Sequence, residues 1–159
     1  MAETIIVVSD NHGQRAQIDY IRNTYPSDYY FFHCGDSEMY PDELAGFACV
    51  RGNNDYMGFE NRRIVRVGGH RILITHGHLD MYGTRLQMLA KKAKIEGCDI
   101  VCFGHLHKYI DTEIDGIRLL NPGSVWHNRD GSAPSYMVVT IDGDTITAER
   151  INWNRDLLK

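Results

Sequence analysis

The apolar residues of this chain come in short runs, and five successive runs stop at residues combining glycine with aspartate, asparagine or histidine. Short β-branched runs closed by turn formers are strands buried on both faces, not long helices. The chain is thereby held to a sheet-based fold. Residues 4–9 are the first run, closed by Asp10, Asn11 and Gly13. Residues 15–25 then set Ile18 and Ile21 at helical spacing, with Pro26 as the stop. Residues 29–33 return as a strand and end at Cys34, Gly35 and Asp36. Strand, helix and strand at these lengths predict a right-handed crossover and a parallel pair. Residues 47–50 are a third strand, running into Arg51, Gly52, Asn53, Asn54 and Asp55.

The texture then changes. Residues 64–67 and 71–75 read as a hairpin turning on Gly68 and Gly69, and its second strand ends at His76, Gly77 and His78. Residues 84–96 predict a helix with Leu86, Leu89, Ala90 and Ala93 on its core face, lysines late and Gly97 as the stop. Residues 99–103 are again a buried strand, ending at Gly104, His105, Leu106 and His107. Strands at 109–114, 117–120, 136–141 and 145–151, joined by Asp-Gly turns, complete an antiparallel second half.

A length of 159 residues predicts one domain, 1–159, with room for a real core. With 43% hydrophobic and 24% charged residues, a disordered or coiled-coil chain is excluded. The formal charge of −4 offers no global attraction to nucleic acid or an anionic membrane, so any phosphate must be met locally. No run approaches the roughly 18 apolar residues of a membrane span, and no signal peptide is readable. Cys34, Cys49, Cys98 and Cys102 lie in or beside apolar stretches without a CxxC pair. They predict buried, reduced thiols and a cytoplasmic location.

The strand ends carry the chemistry. Asp10 and His12, Asp36, Asn53, His76, and His105 and His107 are all metal-binding types. Any one of them alone would be read as an ordinary hydrogen-bonded residue, the reading kept for His33, His70 and His127. Ligand types at five strand ends, each beside a glycine, are a different matter, because the carboxyl ends of parallel strands can converge on one site. The spacing of two within Asp10/His12 and His105/His107 would turn each pair toward one centre if the backbone is extended. Seven donors exceed what a single ion takes and suit two ions sharing a carboxylate, for which Asp36 stands alone behind a glycine. Oxygen and imidazole donors without thiolate suit Mn²⁺, Fe or Zn²⁺ and suit Ca²⁺ poorly.

These motifs, in this order and spacing, resemble the calcineurin-like metallophosphoesterases. The short chain and the segment Asn121, Pro122, Gly123, Ser124 look like the small bacterial and archaeal phosphodiesterase branch, itself related to the retromer scaffold subunit. The resemblance implies an α/β fold of two mixed β-sheets packed as a sandwich flanked by helices, a four-layer α/β/β/α arrangement. It further implies one ion on Asp10, His12, Asp36 and His107, and another on Asp36, Asn53, His76 and His105. The ions expected are Mn²⁺ first, with Fe, Zn²⁺ or Ni²⁺ as alternatives. Two ions, two carboxylates and a bridging hydroxide leave a centre of about +1, which favours a small anionic phosphate ester despite the acidic chain. The expected activity is phosphodiester hydrolysis by that hydroxide, preferred over monoester hydrolysis.

One position departs from the larger family, which carries a histidine directly after the metal-binding asparagine. This chain has Asn54 there, and His78 is the substitute nearest in sequence to a ligand. Asp55 is read as orienting ligands or capping a loop. Arg51, Arg62, Arg63 and Arg66 are read as a solvated face before a phosphate clamp. Tyr56, Met57, Tyr82 and Trp126 are candidates to wall the cleft or stack on a base. A non-catalytic scaffold is the alternative, and it should show eroded ligands, whereas every ligand position here is filled. No membrane or bulk nucleic-acid partner is expected, and self-association is left open.

Overall fold

A computed structural model describes residues 2–55, 58–79 and 85–158. The first half builds β1 (Glu3–Val8), α1 (Arg15–Thr24), β2 (Tyr30–His33) and β3 (Phe47–Cys49). β1 lies parallel to β2, with Val8 opposite His33, and β2 lies parallel to β3, with His33 opposite Cys49. The three strands therefore end level, and the loops leaving them start from one edge. A 3-10 turn at Pro41–Leu44, unforeseen in the sequence, precedes β3.

The hairpin forms as expected from β4 (Arg62–Val67) and β5 (His70–Thr75), with His70 the first residue of its second strand and not part of the turn. α2 (Arg85–Ile95) and β6 (Ile100–Cys102) follow, then β7 (Tyr109–Ile114), β8 (Ile117–Pro122), β9 (Ser135–Asp142) and β10 (Thr145–Asn152). The expected start of the second helix at Thr84 lies outside the described residues. Two five-stranded sheets result, in the orders β10-β9-β1-β2-β3 and β4-β5-β6-β8-β7. Both are mixed: β5, β6 and β8 run parallel, while β9 pairs antiparallel with β1 and β10.

Strand periodicity assigns the layers. Ile5 and Val7 of β1 point between the sheets, where they meet Phe32, Ile72, Ile74, Ile100, Leu120, Met137 and Val139. Ile6 and Val8 point outward and are covered by Ile18 and Ile21 of α1. On the far side Leu73, Val101 and Leu119 are covered by Leu89, Ala90 and Ala93 of α2. This is the α/β/β/α sandwich, with both sheets presenting the carboxyl ends of parallel strands at the same edge. All four cysteines are buried and free, and burial pushes the Cys102 thiol up to about 12. Among the described residues no helix is long and apolar enough to cross a membrane.

Candidate metal centre

The loops at that edge turn by unusual backbone geometry. Among the described residues, the non-glycine positions with positive φ are Asp10, His12, Asp36, Glu38, His105, His107 and Asp115. Five of them are predicted ligands. The left-handed region is costly for residues with a Cβ, so its concentration here marks backbone bent to aim side chains.

Two groups of ligand atoms form, each with its members within 4.8 Å of one another: Asp10, His12 and His107 in one, Asp36, His76 and His105 in the other. His105 and His107 do not face one centre as their spacing suggested but fall into different groups, the division that the resemblance implies, whereas Asp10 and His12, equally spaced and equally left-handed, share one. In the first, Nε2 of His12 lies 3.1 Å from Nε2 of His107. Beside the second, Asn53 Oδ1 lies 3.0 Å from both His76 Nε2 and His105 Nδ1. Asp36 Oδ2 is 3.2 Å from His76 Nε2.

Three of the four imidazoles, those of His107, His76 and His12, are set by the partner of their other nitrogen. His107 Nδ1 donates to the carbonyl of His127 at 2.9 Å, and His76 Nδ1 donates to that of Cys34 at 2.7 Å. Both Nε2 atoms then face the site, where their deprotonated form would offer a lone pair to a cation. His12 Nδ1 lies 2.8 Å from Glu38 Oε1, a carboxylate that sequence reasoning missed because nothing in the chain marks position 38 as close to position 12.

The loops themselves are pinned by backbone contacts. Asp55 accepts the N–H groups of Asp36, Gly52 and Glu38 at 2.8–2.9 Å, so it caps the loop and does not orient a ligand side chain. Ser124 donates to the Asp10 carbonyl at 2.7 Å, and Asn121 donates to the Gly104 carbonyl at 3.1 Å. Two glycines are required by close approach. A Cβ on Gly52 would stand 2.1 Å from Asp36 Oδ1, and one on Gly104 would stand 2.1 Å from Ser9 Oγ and 2.7 Å from Asp10 Oδ2.

The donors fit divalent ions. Asp10 Oδ1 is buried and finds no hydrogen-bond donor, although Nε2 of His107, His12 and His76 lies at 3.3, 3.7 and 3.8 Å. A buried carboxylate oxygen facing three imidazole nitrogens is stabilised by a cation placed among them. Burial and the neighbouring charges perturb the titration of these groups in both directions. Burial drives the Asp10 carboxyl up, yet His107, His76 and the Ser9 hydroxyl outweigh it and hold Asp10 below its ordinary value. Burial drives His76 down, yet Asp36 and Asp10 hold it above. Burial, with repulsion from His76 and Arg85, takes His105 down to about 4. Asp36 is held low against burial by His76 and Asn54.

Asn54 is turned onto Asp36, to which its backbone N–H and its Nδ2 both donate. His78 lies farther out, its ring centroid 5.4 Å from that of His76 and 6.3 Å from that of His105. His33, fully buried, donates from Nε2 to Asn11 Oδ1 and accepts the Gly35 N–H, which leaves it a structural residue as read. Burial lowers it to about 4. Arg62 is taken up by Glu96 at 2.7 Å, and Arg51, Arg63 and Arg66 are exposed. Trp126 stands beside the site, its ring 5.4 Å from that of His12. Tyr56, Met57 and Tyr82 lie outside the described residues.

The chain matches known proteins along nearly its whole length. It is 32% identical over 147 residues to the probable metallophosphoesterase YsnB of Bacillus subtilis, covering 90% of this chain and 87% of that one. The crystal structure of a conserved uncharacterized protein, a predicted phosphoesterase from Streptococcus pneumoniae TIGR4, superposes with a TM-score of 0.90 at 34% identity, covering 96% and 90%. Vps29 of Entamoeba histolytica shares the fold at a TM-score of 0.74 and 23% identity, covering 95% and 99%. The model of the calcineurin-like phosphoesterase superfamily domain matches residues 4–144, the stretch that holds every candidate ligand described above. With two His/Asp groups at the carboxyl edge of a two-sheet sandwich and this span of likeness, the chain belongs to the calcineurin-like phosphoesterase superfamily.

Proposed function

We propose that the protein is a phosphodiesterase dependent on two divalent ions, Mn²⁺ first among them, with Fe, Zn²⁺ or Ni²⁺ as alternatives. Asp10, His12, His107 and Asp36 hold one ion, and Asp36, Asn53, His76 and His105 hold the other. The observation that carries this reading is the pair of convergent ligand groups with the donorless Asp10 Oδ1 between them. When bound, such a pair supplies Lewis acidity toward the phosphoryl oxygens and a nucleophilic water at neutral pH.

The chain's own residues fix the geometry for that chemistry. The His127 and Cys34 carbonyls and the Glu38 carboxylate hold three imidazoles in orientation. Asn54, committed to Asp36, is no proton donor for a leaving group. An alkoxide that must depart unprotonated is slow, and general acid help is worth about 10²–10⁴-fold. This supports esters with good leaving groups, and so aryl phosphodiesters ahead of alkyl monoesters.

The test compares chelated and Mn²⁺-reloaded protein on bis(p-nitrophenyl) phosphate and glycerol phosphate. Activity on the diester should vanish with chelation, return with metal and exceed that on the monoester. Full activity in demetallated protein would defeat the reading, and equal rates on both esters would defeat the diester preference.

A further inference from the structure

Trp126 is held rigidly by its backbone and yet leaves its ring open. Its N–H donates to Ser124 Oγ at 3.1 Å, the same hydroxyl that donates to the carbonyl of Asp10. The preceding carbonyl, that of Val125, accepts from Gln17 of α1 at 3.4 Å. The loop is thus tied both to the ligand strand and to the first helix. The indole remains 47% exposed, and its edge-on neighbour is His12, with ring planes at 61°. Exposing a large aromatic ring on a fixed backbone leaves apolar surface in water unless something covers it.

Behind this ring opens a cavity of about 300 Å³ lined by Gln14, Gln17, Trp126, Pro134, Trp153 and Asn154. A second of about 260 Å³ adjoins it across Gln14, Gln17 and Trp153. The first is at the small end of ligand pockets, which run from about 300 to 1,000 Å³. Among the described residues its walls hold no charged side chain. They offer two indoles and a proline as flat apolar surface, and three primary amides, of which Gln17 already donates to the Val125 carbonyl and Asn154 already accepts the Asp156 N–H. A charged group would be left without a counter-ion there, whereas an uncharged ring with polar edges would find both a stacking face and edge partners.

From this continuity between His12, Trp126 and the amide-lined cavity, we propose a subsite for an uncharged heteroaromatic ring, such as a nucleobase, carried by one ester oxygen of the phosphodiester. The proposal rests on the phosphodiesterase reading for what the ring is attached to, but ring binding itself needs no metal. A diester seated beside His12 would lay that substituent over the exposed indole and turn its polar edge toward Gln14, Gln17 or Asn154. Stacking of a base on an aromatic side chain is sequence-tolerant, so the subsite selects ring-bearing esters without choosing strongly among bases.

The binding test uses chelator-treated protein and a nucleoside without phosphate, with adenosine and thymidine as probes. Trp126 and Trp153 are the two tryptophans of the chain, so two indole N–H signals report on the cavity in a nitrogen–proton spectrum, with Trp126→Phe assigning them. Millimolar nucleoside should shift the Trp126 signal saturably, and absence of any shift overturns the proposal. The kinetic test compares a thymidine p-nitrophenyl phosphodiester with methyl p-nitrophenyl phosphate in Mn²⁺-loaded protein. Trp126→Ala should raise KM for the thymidine ester about tenfold more than for the methyl ester, and Trp126→Phe should recover most of the difference. Equal effects on the two esters overturn the proposal. Loss of turnover on both esters with the indole shifts retained defeats the hydrolase reading and still supports the ring subsite.

Discussion

Asn54 grips Asp36 through both carboxylate oxygens, its backbone N–H donating to Oδ1 at 2.8 Å and its Nδ2 to Oδ2 at 3.0 Å. A side chain engaged in this way positions a ligand. Replacing it with alanine keeps the backbone bond and removes the other. Hydrogen-bond partners of metal ligands are typically worth about 10–100-fold in metal affinity or activity. Asn54→Ala should fall near the lower bound, because Asn54 is exposed. Competition with a fluorescent chelator measures the affinity directly, and an unchanged value would show that Asn54 does not position Asp36.

Asp36 and Asp10 should differ in how many ions they control. With Asp36 shared, Asp36→Asn should lose both ions, while Asp10→Asn should retain the one held by Asn53, His76 and His105. Elemental analysis of the purified variants counts the ions. His33→Gln serves as a comparison, since His33 bonds Asn11 and the Gly35 N–H and should leave both ions in place. The reverse order of losses would identify Asp10 as the shared carboxylate.

Gly104→Ala tests the close packing beneath the centre. Its Cβ would meet Ser9 Oγ and Asp10 Oδ2 well inside contact distance, and both belong to a fully buried pair joined by a 2.6 Å hydrogen bond. Overpacking of this kind costs about 1–3 kcal/mol. At roughly 2–4 °C per kcal/mol for a chain of this size, Tm should fall by several degrees and metal affinity should weaken with it. A calorimetric scan with and without Mn²⁺ checks both.

His70 supplies a pH dependence far from the metal ligands. Its Nε2 bonds the Gly143 carbonyl at 2.7 Å and its Nδ1 lies 2.5 Å from Asp99 Oδ2, joining the first strand of one sheet's parallel set to the β9–β10 turn of the other. The Gly143 carbonyl and the Asp99 carboxylate raise it above its ordinary 6.5. The proton bound more tightly in the folded state stabilises it fully below pH 6.5, and this contribution is lost as pH rises through the folded value. Denaturant midpoints should therefore decline over that interval in the parent protein, and the decline should flatten in His70→Gln.

The architecture was legible because its signals are local. Pro26 and Gly97 mark helix ends, the glycine pair at 68–69 marks the hairpin, and ligand types at strand ends mark the edge where the site forms. The division of ligands into groups was less legible from residue spacing. Spacing of two predicts a shared direction only on extended backbone, and on the left-handed backbone found here Asp10 and His12 share a group while His105 and His107 do not. The contacts of Glu38 and Ser124 were not legible for another reason: their partners His12 and Asp10 are distant in sequence, and only packing of the loops brings them together.

The left-handed ligand residues also bear on how this fold can change over time. Such conformations cost roughly 1–3 kcal/mol each, and the sandwich beneath them has to outweigh that burden in every folded molecule. A descendant released from hydrolysis could replace His12 or His107 with glycine, relax the loop and become sturdier, while Asp115 in its Asp-Gly turn would gain nothing for function or lose it. Loss of these residues would thus be downhill in stability, so the left-handed positions are a standing cost that only a role at the centre would offset.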